Sequence, residues 1–187
     1  MQQIILFNKP YGVLSQFSPH PTYKCLKDYI ALSQIYPAGR LDVDSEGLLL
    51  LTNDGKLQAQ ICEPRQVKFK TYLVQVEGIP SSEQLAELAS GVKIMDYTTL
   101  AAKVQLLSSE PRLWERNPPI RVRKTVPTSW LQIAICEGKN RQVRRMSAKV
   151  GLPTLRLVRV ACGGIGLGEL LPGQWRELSL TQFRRIF

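Results

Sequence analysis

The sequence predicts a mixed α+β fold. Two observations carry that expectation. Short apolar or alternating runs recur at 4–7, 48–51, 71–76, 131–135 and 155–160, and such runs of about four to eight residues between turn signals read as strands. Helical periodicity is sparse and short, clearest over 141–150. Strands thus dominate and helices are few, which is the pattern of a mixed α+β fold. The 187 residues suffice for one domain of ordinary size. Folding at this length buries roughly 70% of the extended chain's surface, so no covalent staple is required.

Each element has its own local reason. Residues 4–7 are apolar throughout and read as a buried strand. A turn follows at 8–12, where Pro10 fixes its own φ and pushes Lys9 towards an extended conformation. Residues 17–23 form a polar loop with two prolines, and Thr22 is placed to cap a short helix over 24–30. After the strand at 48–51, Asp54 is placed to cap a helix over 55–62 that stops before Pro64. In the strand 71–76, Tyr72, Val74 and Val76 share one face. Ser81 and Gln84 match a capping box, and Gly91 ends that helix. Strands follow near 92–95 and 102–107.

Residues 108–129 carry four prolines, five basic residues and Trp114, and read as a long exposed loop or hairpin. A loop of that length in a compact domain is usually functional or disordered. Beyond the strand at 131–135, Asn140 is the expected N-cap of the helix 141–150. Val143, Met146 and Val150 lie on one face of that helix; Arg141, Arg145 and Lys149 lie opposite, with Arg144 on the flank. Gly151 and Pro153 stop it. The strand 155–160, a glycine-rich loop over 161–173 and a last strand over 175–180 complete the chain.

The net charge of +10 is unevenly distributed. Between Arg112 and Arg159 there are twelve Lys/Arg against two acids, Glu115 and Glu137, while the remaining sequence carries thirteen of each sign. One quarter of the chain therefore holds the whole excess. A polyanion is the natural partner, and nucleic acid is favoured because no amphipathic anchor, lipidation signal or long apolar run points to a membrane. Cys25, Cys62, Cys136 and Cys162 are scattered without a C-x-x-C pair, as expected of small buried hydrophobes in a reducing compartment. The N-terminus lacks the basic and apolar regions of a signal peptide. Together these predict a cytoplasmic protein.

The chemistry is expected around 38–54. Asp42 stands between the small-residue turn Ala38-Gly39 and the apolar block 48–51, so it is a carboxylate on a loop leading into the core. It is either a structural anchor or a reactive group. Three other readings fail. A calcium loop would need a ligand at its twelfth position, but Asn53 stands there and the apolar block cannot be a solvated ligand loop. An aspartyl-phosphate nucleophile would follow a hydrophobic strand, whereas here the strand comes afterwards. His20, the sole histidine, lies between two prolines and reads as a solvated loop residue. The helix 141–150 is either a solvated basic surface or a nucleic-acid contact, and one inward arginine could pair with a carboxylate such as Asp42. Tyr72 is either a core aromatic or a platform for a base.

Several stretches resemble the motifs of the RsuA-like branch of ribosomal RNA pseudouridine synthases. GRLDVDSEGLLLLTNDG at 39–55 resembles its central motif and NKPYGVL at 8–14 its first. KTYLVQVEG at 70–78, EGKNRQVRRM at 137–146 and PTLRLVRVACGGIGLGELLPGQWREL at 153–178 resemble the tyrosine, third and C-terminal motifs. RNPPIRVRKTVPTSW at 116–130 resembles the insertion of that branch's E-type enzymes, which act on the large subunit.

The resemblance implies a fold, an activity and residue roles. The fold is a mainly antiparallel, bent mixed sheet, with two lobes and a central basic cleft. The activity is isomerisation of one uridine to pseudouridine in 23S ribosomal RNA. Asp42 takes the place of the essential aspartate, Tyr72 stacks on the flipped uracil, and Arg144 pairs with the aspartate. Arg40 fills the gap left by the flipped nucleotide, and Leu157 lines the uracil pocket. No metal or organic cofactor is implied, and a monomer is expected. The first motif begins at residue 8, which leaves no room for the small S4-type domain usual in the branch, so a single catalytic domain over 1–187 is expected. RNA contacts then fall to the loop, including Arg121 and Arg123, and to Arg141 and Arg145 on the helix. The competing class is a non-catalytic ribosomal RNA-binding or ribosome assembly protein of the same fold.

Overall fold

The apolar runs become strands, and two of them are buried along their whole length. The computed structural model describes residues 2–63, 68–120 and 125–186. Strand β1 (Ile4–Lys9) is buried at every position. Short strands β2 (Val13–Leu14) and β3 (Lys24–Cys25) follow, then a 3-10 turn at Leu26–Asp28 and strand β4 (Tyr36–Pro37). Strand β5 (Glu46–Thr52) is again buried throughout. It pairs antiparallel with β1 from Ile4 opposite Thr52 to Lys9 opposite Gly47. A strand covered on both faces needs no alternation, which is why Leu48 to Leu51 reads as an unbroken apolar block. Helix α1 (Gly55–Cys62) starts as expected: the Asp54 carboxylate accepts from the backbone N–H groups of Lys56 and Leu57 at 2.8 and 2.9 Å.

Strand β6 (Lys70–Glu77) alternates, burying Tyr72, Val74 and Val76. Helix α2 (Ser82–Ser90) carries the expected capping box between Ser81 and Gln84, and Gly91 follows at φ +111°. Strands β7 (Lys93–Ile94) and β8 (Tyr97–Thr98) make a small hairpin, and β9 (Lys103–Leu106) follows. Strand β10 (Thr128–Ile135) runs antiparallel to β6 on one side and to β9 on the other. Helix α3 (Gln142–Lys149) leads to β11 (Thr154–Cys162). Strand β12 (Ile165–Gly166) folds back on β11, β13 (Trp175–Glu177) pairs antiparallel with β1, and α4 (Leu180–Ile186) ends the chain.

The architecture is thus α+β, with a nine-stranded sheet in which every register described here is antiparallel. Two compact units divide the chain, Met1–Gln66 with Arg159–Phe187, and Val67–Val158. The first is built on β1 and β5, with Leu6, Leu49, Leu51 and Phe183 fully or almost fully buried; the second on β6 and β10, with Val74, Val76, Leu131 and Ile133 fully buried. No helix among the described residues is long and apolar enough to cross a membrane.

Four local expectations need correction. Thr22 caps no helix over 24–30: Lys24 and Cys25 pair in parallel with Val13 and Leu14, leaving only the 3-10 turn, which the Asp28 carboxylate closes by accepting from Cys25 N at 2.7 Å. The last strand ends at Glu177 rather than 180, because Ser179 starts a helix there, accepting from Gln182 N at 3.2 Å, and Phe183 is buried. Asn140 is not the N-cap of α3. Arg141 holds that position in the left-handed region at φ +52°, and the Asn140 side chain goes to Arg145. Within 108–129, Thr128 and Ser129 belong to β10; residues 108–120 have no helix or strand.

Candidate active site

The loop 38–45, between β4 and β5, carries Asp42, and its backbone is held on three sides. Ala38 N donates to Leu50 O at 2.8 Å. The buried Ser15 hydroxyl donates to Leu41 O at 2.8 Å and accepts from Leu41 N at 3.1 Å, closing a reciprocal pair. Gly12 N donates to Val43 O at 2.8 Å, and Ser45 N donates back to Asp42 O at 3.0 Å. Residues on either side of Asp42 are therefore fixed while its side chain stays half-buried. Leu41 points into the core and Arg40 is exposed.

Beneath this loop the first unit buries an ion cluster. Lys9 is fully buried at the end of β1. Its ammonium donates to Pro10 O at 2.9 Å and Val13 O at 2.7 Å. Burial pushes its pKa down to about 7, opposed by the negative charges of Glu46, Asp44 and Asp42 and assisted by Arg159. Arg159 is itself buried and donates from Nε to Leu48 O at 2.7 Å. The close approach of β5 to Arg159 depends on Gly47. A Cβ there, at φ +100°, would lie 2.2 Å from Arg159 O. The alternating acids of DVDSE thus face a buried cation from their own unit.

The second unit carries the other predicted residues. Tyr72 is 7% exposed, sits on β6 opposite Ile133, and shares its buried face with Val74 and Val76. On α3, Val143, Met146 and Val150 are buried as predicted, and Arg141 and Lys149 are exposed. Arg144 is half-buried and donates from Nη1 to Thr154 O at 3.3 Å, three residues before the buried Leu157 on β11. Arg145 is half-buried too: Nη2 donates to Asn140 Oδ1 at 2.9 Å, and Nη1 meets the Met95 sulfur at 2.8 Å. Arg121 and Arg123 lie outside the described residues.

One unit therefore holds Asp42 and Arg40, and the other holds Tyr72, Arg144, Leu157, Arg141 and Arg145. Sequence reasoning passed over Lys9 and Ser15. The hint was a lysine two residues after an apolar run and directly before a proline, a position that ends a buried strand without reaching solvent.

Known proteins give this arrangement a context. A family model for RNA pseudouridylate synthases matches residues 3–149. The chain is 55% identical over 179 residues to the ribosomal large subunit pseudouridine synthase E of Vibrio vulnificus, covering 96% of this chain and 76% of that one. It is 57% identical over 175 residues to the protein of the same name from Xanthomonas campestris pv. campestris, covering 92% and 94%. A crystal structure of a pseudouridylate synthase superposes with a TM-score of 0.83 at 27% identity, covering 100% of this chain and 74% of that one. The match takes in the loop of Asp42, the strand of Tyr72 and the helix of Arg144, and the chain belongs to the RNA pseudouridylate synthase family, enzymes that isomerise uridine in RNA.

Proposed function

We propose that this chain converts one uridine of large-subunit ribosomal RNA to pseudouridine, as a cytoplasmic monomer, with Asp42 as the catalytic carboxylate. The observation that carries the proposal is the loop 38–45. Its backbone is pinned by Ser15, Gly12 and Leu50, yet it leaves the Asp42 side chain only half-buried. A carboxylate held on so rigid a mount acts at a fixed point without further ordering, which is the economy of a preorganised site. The names of the 55% and 57% identical relatives support the large-subunit substrate.

The reaction breaks the N1–C1′ bond, turns the uracil, and joins C5 to C1′; C5 loses its proton and N1 gains one. Positive charge builds on the ribose as the first bond breaks. A carboxylate near C1′ stabilises that charge, attacks C1′, or takes the 2′ proton. A base inside a helix is out of reach, so the target nucleotide must leave its stack. On this reading Tyr72 meets the extruded base, Leu157 lines the uracil pocket and Arg144 pairs with the aspartate. Arg40, two residues ahead of Asp42 and exposed, fills the gap the nucleotide leaves. Arg141, Arg145, Arg121 and Arg123 contact phosphates.

Tritium release from a large-subunit ribosomal RNA transcript labelled at uridine C5 tests this directly. Asp42→Asn should release no tritium above background while retaining RNA affinity within about threefold, since only a group needed in the transition state is lost. Full release by the variant removes Asp42 as the catalyst. Absence of release by the unmodified chain removes the activity itself and favours a binding or assembly role.

A further inference from the structure

Arg156 is 7% exposed on β11, and it reaches out of the sheet to the long arm that precedes β10. Its Nη2 donates to Trp114 O at 2.9 Å, and its guanidinium carbon lies 5.7 Å from the Trp114 ring centroid. One side chain thus grips both the backbone and the indole of the same residue, a geometry suited to the planar fork of arginine. Beyond that grip the arm closes on itself: Arg116 donates from Nε to Pro118 O at 2.8 Å and from Nη2 to Pro119 O at 3.1 Å. Before it, Leu107 N is tied to Trp130 O at 2.8 Å. Residues 108–120 contain no helix or strand, so ties of this kind set the arm's course.

We propose that Arg156 is a positioning residue for RNA recognition, clasping Trp114 so that the arm 108–120 meets the RNA in one fixed course. The inference rests on the functional reading given above and adds to it the group that makes the arm a recognition element. Adjacent residues on a strand point to opposite faces, so Arg156 and Leu157 act on different sides of β11. The clasp therefore serves RNA outside the target nucleotide. Its loss weakens capture of the substrate and leaves the chemical step intact.

Two variants test this. Arg156→Gln removes the cation from the sheet. Trp114→Leu removes the ring from the arm and leaves the sheet untouched, so it remains informative if Arg156→Gln does not fold. Tryptic cleavage after Arg112 and Arg116 reports the arm directly, and tritium release from the large-subunit transcript reports function. Both variants should be cleaved faster after those residues. Both should show KM raised roughly tenfold with kcat within about twofold of the unmodified chain, the pattern of lost uniform binding. Unchanged cleavage would show that the clasp does not hold the arm. Faster cleavage with unchanged KM, or a fall in kcat at constant KM, overturns the recognition role. An unmodified chain inactive on the transcript removes the functional reading and the recognition role together, while the cleavage rates still decide whether the clasp exists.

Discussion

Two residues of the first unit show how much of the site depends on a single atom or charge. Gly47 allows β5 to lie against Arg159 so closely that a methyl group cannot enter, and its φ of +100° disfavours any other residue. Gly47→Ala combines steric overlap with backbone strain and should cost about 3 kcal/mol or more in urea unfolding. A loss within error would show that β5 and β11 can part at little cost. Lys9 gives a pH dependence. Its folded pKa of about 7 lies below the ordinary lysine value of 10.5, chiefly because burial disfavours the ammonium. Between those limits the unfolded chain binds more protons than the folded one, so the stability contributed by Lys9 rises with pH from about 7 to about 10.5. Relative to Lys9→Met, the unmodified chain should gain stability across that window; a flat or falling difference would show that the ammonium is not disfavoured by burial. The sequence showed Lys9 only as part of a turn. Glu46 and Arg159, whose charges act on it in opposite directions, are 37 and 150 positions away, and no local pattern joins them.

At the scale of elements, what was legible depended on whether the cause was local. Helices α1 and α2 announced themselves through their caps, because a capping side chain bonds backbone groups two or three residues away. Ser81 accepts from Gln84 N at 3.3 Å, and the Gln84 side chain accepts from Ser81 N at 2.9 Å. Ser81→Ala should therefore lower stability by about 1 kcal/mol, measured by thermal or urea unfolding, without altering catalysis; a catalytic defect would place α2 in the site. The buried face of α3 was equally legible from Val143, Met146 and Val150. Its start was not, because Asn140 is taken up by Arg145 and the Gln142 side chain accepts from Lys139 N at 3.0 Å instead. The pairing of β2 with β3, which displaced the helix expected near Thr22, spans about ten residues of irregular loop and left no periodic trace. Helix α4 is too short for periodicity to distinguish it from the end of a strand.

At the scale of the molecule, the charge is concentrated in one part of the chain. The whole excess of +10 falls between Arg112 and Arg159, a span that includes the arm, α3 and the start of β11. Asp42 and the fully buried strands β1 and β5 lie outside it, in stretches whose charges balance. On the proposed reading the phosphate contacts fall in that span and the catalytic carboxylate outside it, so capture and the chemical step should respond differently to salt. Each arginine that neutralises a phosphate releases counterions when RNA binds, so affinity falls with salt in proportion to the number of such contacts. Arg141→Gln, and separately Arg121→Gln with Arg123→Gln, should flatten the plot of log affinity against log salt by about 0.7 to 0.9 per contact removed. The rate of tritium release at saturating RNA should stay near that of the unmodified chain. Asp42→Asn should do the reverse, abolishing release with the salt slope intact. If the arginine variants kept the full slope and lost the rate, the basic quarter would belong to the chemical step, and the division between capture and catalysis would be wrong.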